Sequence, residues 1–434
     1  MEILIMAGQL ILGLSILVGL HELGHLLTAK LFGMRVEKYY IGFPPKVISI
    51  QRGETEYGIG AIPLGGFVKI AGMVDESLDT KNLSATPEPW EFRAKPAWQR
   101  LIVMLGGIFV NVVTGIIIFV ALTYSNGRYY YDNSDLKYGI VAHQLAQEIG
   151  LKTGDKIVAI NGKAFNDFAD VNKVLLESNS YYTVERNGQR TDVLIPNNFY
   201  EKIADKANAG QFIDPVFPFK VGEIGVGMPA AKAGMKMGDR IVKVNNTPIR
   251  FYHEVKAALA QYKNQQVTIE IDRAGQTLTL PMKVTEEGTI GFFPDSELQR
   301  RHQQFTLGES LVAGTNQAFG VVFDQIKAFG KIFRGEMSAQ KSLGSFITIG
   351  KVYGPSWDWN RFWSITGLLS MVLAFMNLLP IPALDGGHTV FLLYEIISGR
   401  KPSDQFLEGA QKVGMVLLLC LMVFAIGNDI FKLF

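Results

Sequence analysis

The 434-residue chain carries 42 Lys and Arg against 40 Asp and Glu, a formal net charge of +2, and is 48% hydrophobic before its 45 Gly are counted. A charged fraction of 19% and a mean hydropathy of +0.17 argue against a purely soluble domain, where about a quarter charged is usual, and the near-neutral balance leaves no nucleic-acid footprint. A single cysteine, Cys420, excludes an intramolecular disulfide framework and a cysteine-based zinc cluster.

In chain order, residues 1–32 read as a first membrane-spanning helix. Ile3 to Leu20 is almost wholly apolar and about long enough to cross hydrocarbon. No positive charge precedes it and no small-x-small site follows, so it reads as an uncleaved span rather than a signal peptide. It ends polar, in His21-Glu22-Leu23-Gly24-His25. Two imidazoles four residues apart share one helix face and can grip one metal ion, while Glu22 beside them can accept a proton from water.

Residues 33–100 read as strands and an interfacial segment. Lys46 to Arg52 and Thr55 to Ile62 look like a hairpin, followed by Phe67 to Ile70. Gly58, Gly60, Gly65 and Gly66 weaken strands unless a backbone must approach closely. Either the edge around Thr55 to Ile62, with Tyr57, Gly58, Ile59 and Gly60, accepts an added substrate strand, or these are turn glycines of a small β domain. Pro87 to Pro96 is a Trp-bearing approach to the membrane. Residues 101–124 form the second span, with Gly106, Gly107 and Asn111 inside it; small residues in a span mark close helix packing.

An internal repeat follows. Gly150 to Asn161 matches Gly234 to Asn245 at a constant offset of 84 residues, each with Gly-Asp leading into an apolar strand. This predicts two copies of a small α/β domain, over 132–205 and 215–295. Within residues 300–358, Phe305 to Arg334 has an apolar stripe at helical period and reads as an external amphipathic helix rather than a fifth span. Residues 360–398 form a third span broken at Pro380 and Pro382, and 411–432 a fourth. Lys30, Arg35, Lys69, Lys81 and Arg100 between the first two spans, with Arg400, Lys401 and Lys412 between the last two, orient both loops to the cytoplasm and both termini outside.

A zinc site needs a third protein ligand and leaves a fourth position open. His143, His253 and His302 fall in the polar region, so the membrane-level candidates are Asp385, His388 and Glu395. Asp385 sits in Leu384-Asp385-Gly386-Gly387-His388, just past the proline break, where irregular backbone is tolerated only if it is buried or lines a cavity. Its plain alternative is a helix N-cap. A non-enzymatic scaffold would not need Glu22 beside paired His, and a transporter would be expected to show duplicated membrane halves.

The repeat pattern Ala-x-x-Ala-Gly-x-x-x-Gly-Asp-x-Ile-x-x-x-Asn, complete in the second copy, resembles bacterial PDZ domains, which hold peptide C-termini. With the His-Glu-x-x-His motif before it and Leu-Asp-Gly after it, nearly the whole chain resembles the site-2 protease family of intramembrane zinc metalloproteases, in its sigma-E-regulating branch. The resemblance implies a polytopic α-helical membrane protein with four transmembrane helices, a membrane-associated β-sheet and two inserted PDZ domains. It implies Zn2+ on His21, His25 and Asp385, Glu22 as base, and Asn377 in substrate handling. It also implies a place in the bacterial inner membrane, with the PDZ domains periplasmic. Substrates would be single-span membrane proteins, anti-sigma-factor stubs or signal-peptide remnants, cut in regulated intramembrane proteolysis during an envelope stress response. The chain departs from the family in having Gly106-Gly107 where many members have Gly-Pro.

Overall fold

The computed structural model describes residues 1–73, 87–205, 208, 210–342 and 344–431; Lys81 and the end of the fourth predicted span at 432 lie outside them. The chain divides into two compact units, one of residues 1–127, 304–333 and 338–434, the other of 128–303 and 334–337.

The first unit is a helix assembly. Helices α1 (Glu2–Leu31) and α2 (Ala97–Asn126) are long and apolar enough to cross a membrane. They cross closely because Gly24 faces the backbone of Gly106, where any side chain would overlap the Gly106 carbonyl. Helix α3 (Leu307–Phe333) follows the second unit in sequence, and α4 (Phe346–Tyr353) leads into α5 (Trp359–Leu378). Helices α6 (Asp385–Ser398) and α7 (Asp404–Phe431) follow; among the described residues α5 and α7 are the other two candidate spans. Leu10, Leu14 and Leu17 of α1 pack with Tyr353, Phe362 and Leu369, and Gln9 Nε2 donates to the Gly354 carbonyl at 3.1 Å. Asp429 of α7 accepts from Ser345 N–H (2.9 Å), Ser345 Oγ (2.6 Å) and Thr348 Oγ1 (2.8 Å), which caps α4.

Residues 305–334, read from the sequence as an external amphipathic helix, contain α3, which lies against α2 and α5: Gly314 seats on Val120, Ala318 packs with Phe119 and Met371, and Phe329 meets Phe375 at 5.7 Å between ring centres. Its small residues permit this close approach, while Leu311, Phe319 and Phe323 stay exposed on the other side. It is still not among the candidate spans.

Strands β1 (Val36–Arg52) and β2 (Thr55–Ile70) pair antiparallel, and each bends midway. Tyr39 therefore pairs with both Val68 and Tyr57, and Ile50 also pairs with Tyr57. The result is four strand segments in the order 66–70, 36–41, 56–60, 46–52. Tyr57, Gly58 and Ile59 are paired on both sides, and Gly60 is paired with Lys46 while packed against Gly42 and Phe43. The expected substrate-accepting edge at Thr55 to Ile62 is therefore an interior segment. Gly58 is glycine because a Cβ would strike the Tyr40 ring, and Gly60 because it abuts the backbone of Gly42 and Phe43. The glycines serve the sheet's own packing.

The second unit contains the duplication in atomic detail. Strands Lys156–Ile160, Tyr181–Arg186 and Gln189–Leu194 form one sheet; Arg240–Val244, Gln266–Arg273 and Gln276–Lys283 form its counterpart, with Thr247–Pro248 added at its edge. Each Gly-Asp aspartate is buried at 1% exposure and clamped by an arginine. Arg186 holds Asp155 at 2.7 and 2.6 Å, and Arg273 holds Asp239 at 2.7 and 2.7 Å. The aspartates also accept from Lys152 N–H and Lys236 N–H. Asn161 and Asn245 turn the chain at φ of 48° and 51° and accept from Tyr181 N–H and Thr268 N–H.

Burial by itself would raise the Asp239 carboxyl, but Arg273 and the Lys236 N–H outweigh it and hold the group below its usual value. A carboxyl depressed in the folded state stabilises above its unfolded pKa, and that stability is lost as pH falls through the folded value. Asp239→Ala leaves Arg273 without its carboxylate. It should weaken the second repeat, because the Lys236 N–H and the Arg273 guanidinium both lose their acceptor. Hydrogen exchange of the Gln266–Arg273 amides in the full-length protein reads the loss, which should be larger at pH 7 than at pH 3.

Candidate metal centre

The centre forms where α1 ends its apolar run, α2 crosses it, and the α5–α6 break returns the chain to the same point. Pro380 and Pro382 stop α5, since proline cannot continue the helix ladder. Residues 379–384 run irregularly, with Ala383 at φ 81°. Gly386 and Gly387 then pack against the carbonyls of Leu378, Leu379 and Ile381, which lets α6 start tightly against the break. Leu384 is the cap position of α6 and Asp385 its first residue; the aspartate side chain does not cap the helix.

Asp385 instead points at the paired imidazoles. Its Oδ2 lies 3.1 Å from His21 Nε2 and 3.4 Å from His25 Nε2, and the two Nε2 atoms are 3.1 Å apart. Asp385 Oδ2 is buried with no hydrogen bond despite these approaches, and the three atoms are grouped closely enough to hold one ion. A tetrahedron of about 2.0–2.1 Å metal bonds has edges of about 3.3 Å, and the three observed separations match it. Two imidazole nitrogens and one carboxylate oxygen are also the donor set of a catalytic zinc that keeps a fourth position open. His25 Nδ1 lies 2.8 Å from the Val103 carbonyl, so that proton sits away from Nε2.

The surrounding cavity has a volume of about 760 Å³ and is lined by Glu22, Asn377, His388 and Gln411 among others. Glu22 is next to His21 in sequence but outside the three-atom cluster. The Val68 backbone hydrogen-bonds its carboxylate, and a Cβ on Gly66 would lie 3.5 Å from Glu22 Cγ. The outer edge of segment 66–70 therefore runs along the cavity. Asn377, near the end of α5, has Nδ2 3.4 Å from His21 Nε2. Of the other candidate third ligands, His388 lines the cavity outside the cluster, and Glu395 accepts from Arg100 at 2.5 Å. Tyr57, Gly58, Ile59 and Gly60 do not line the cavity.

Sequence reasoning missed segment 66–70 beside the cavity, because only the doubled pairing of β1 reveals which segment lies outermost among the described residues. It also missed Gln411 on α7, buried with its Nε2 unpartnered. The available signal was a lone amide opening an apolar run.

A family model for peptidase family M50 matches residues 9–421. The chain belongs to the M50 peptidase family. The peptidase is a zinc metalloendopeptidase of the membrane. It is similar to the regulator of sigma E protease of Haemophilus influenzae, 27% identical over 461 residues and covering 98% of each chain. It is also similar to chains named as zinc metalloproteases in Neisseria meningitidis, 27% identical over 98% of each chain, and in Fusobacterium nucleatum, 28% identical over 97% of each.

Proposed function

We propose that the peptidase cuts single-span membrane proteins within the bilayer, with zinc on His21, His25 and Asp385 and with Glu22 as its base. The observation that carries this is the convergence of three ligand atoms beside Glu22, in a cavity between candidate spans. Zinc so held supplies a polarised carbonyl and a more acidic water. Glu22 takes the proton of the attacking water and passes it to the leaving nitrogen. Asn377 donates to the carbonyl oxygen as charge develops there, a role supported by its Nδ2 lying 3.4 Å from His21 Nε2.

A helix hides its carbonyls, so the substrate must unwind. Segment 66–70 pairs with 36–41 and also lines the cavity beside Glu22, and an unwound substrate strand pairs along it. This replaces Tyr57 to Gly60 as the substrate-pairing segment. Incubating the purified protein with a panel of single-span proteins and mapping products by mass tests the reading. Cuts inside the spans support it; cuts confined to soluble loops would sink it.

The protein belongs, on this proposal, to the bacterial inner membrane, with both termini outside and substrates that are anti-sigma-factor stubs or signal-peptide remnants. The sigma-E name of its Haemophilus relative supports the class. The two repeats are PDZ domains that restrict access. They are inserted in sequence between α2, which ends at Asn126, and α3, which begins at Leu307. Deleting 132–293 should preserve cleavage of a short stub and newly permit cleavage of a substrate with its external domain intact. Loss of stub cleavage with zinc and folding normal would show instead that the repeats are needed for productive binding.

A further inference from the structure

One stripe of α2 backs both imidazoles. Val103, Gly107 and Asn111 recur every four residues and so share a helix face. Val103 offers its carbonyl to His25 Nδ1 at 2.8 Å. Gly107 lies so near that a Cβ there would be 2.5 Å from His25 Nε2 and 2.6 Å from His21 Cε1. Asn111, 1% exposed, puts its amide nitrogen 3.2 Å from His21 Nδ1, and its Oδ1 has no hydrogen bond. Ser370 Oγ donates to the Asn111 backbone carbonyl at 2.7 Å and ties this turn of α2 to α5.

An imidazole that gives Nε2 to a metal carries its proton on Nδ1 and needs an acceptor there. For His25 that acceptor is the Val103 carbonyl. With the Asn111 NH₂ toward the ring, His21 Nδ1 would have to accept, and the proton would sit on Nε2, where a metal ligand cannot have it. Turning the amide by 180° exchanges oxygen and nitrogen without changing shape. In either orientation one amide atom is left without a protein partner, so the state of the ring decides which. A metal ligand at Nε2 decides for oxygen.

We propose that Asn111 is a positioning residue of the zinc site: its Oδ1 accepts His21 Nδ1–H, fixing that ring's tautomer and orientation. This rests on the reading of His21 as a ligand. Full-length protein in detergent is titrated with zinc against a competing chelator. Asn111→Leu keeps the approximate volume but removes the acceptor, and should weaken zinc binding about 10–100-fold, the scale for a lost outer partner. Asn111→Asp keeps an acceptor and should stay within a few-fold of the unaltered protein. Unchanged affinity in Asn111→Leu overturns the proposal, as does equal weakening in both variants, which would mean packing alone.

His21→Ala separates this from the underlying reading. Retained zinc there removes His21 as a ligand and the proposal with it; lost zinc with Asn111→Leu unaffected removes only the role of Asn111. If Asn111→Leu does not fold, ¹⁵N-histidine spectra of the unaltered zinc-loaded protein decide. A proton on His21 Nδ1 supports the assignment, and a proton on Nε2 refutes it.

Discussion

Glu22→Gln leaves zinc bound and lowers cleavage of a single-span substrate at least about 10²-fold, the usual scale for a general base. The amide keeps the size of the carboxylate but cannot take a proton. Glu22 stands outside the cluster of His21, His25 and Asp385, so metal content should be unchanged. The Val68 backbone contact to the carboxylate should adapt to the amide oxygen. Zinc content and turnover are measured on the same preparation. Near-normal turnover would remove Glu22 from the chemistry, and loss of zinc would make it a ligand.

Asp385→Ala should strip the zinc and reduce cleavage to background. It removes the only oxygen donor of the cluster and leaves two imidazoles, one short of the three protein ligands a catalytic zinc uses. It also removes an aspartate that makes no cap for α6, so helix α6 should persist. The direct measurement is metal content after dialysis, with thermal unfolding as the fold control. Full occupancy in this variant would move the third ligand to His388, one turn further along α6.

The two variants also separate catalysis from assembly. A protein whose metal was purely structural would lose its fold with Asp385→Ala and ignore Glu22→Gln. The arrangement at the cavity predicts the reverse ordering: a metal-loaded but inert Glu22→Gln protein, and a folded but metal-free Asp385→Ala protein.

What the sequence determined by itself was everything carried by local period. Apolar runs of about twenty residues announced the spans, because hydrocarbon thickness demands that length. His21 and His25, four apart, announced a shared helix face, and Glu22 came with them. The 84-residue offset announced two copies of one fold, since the Gly-Asp and Asn turns repeat in short stretches. Even so, the arginine clamps on Asp155 and Asp239 were silent, because Arg186 and Arg273 lie 31 and 34 residues away in sequence.

Only the tertiary structure decided which distant groups share one point. Membrane level alone offered Asp385, His388 and Glu395, and the Leu-Asp-Gly resemblance singled out Asp385 without showing how it reaches the imidazoles. The break at Pro380 and Pro382 turns Asp385 onto the imidazoles, while Arg100 takes Glu395. The bends in β1 and β2 turned the expected edge at Tyr57 to Gly60 inward and brought 66–70 out beside Glu22. Asn111 read as one more polar interruption of a span until the Gly24–Gly106 crossing set α2 against the rings. The physical reason is the same in each case. A period places a side chain on a face, but ligand and hydrogen-bond geometry depends on separations of about 3 Å between atoms tens to hundreds of residues apart, and helix crossings, proline breaks and strand bends set those separations.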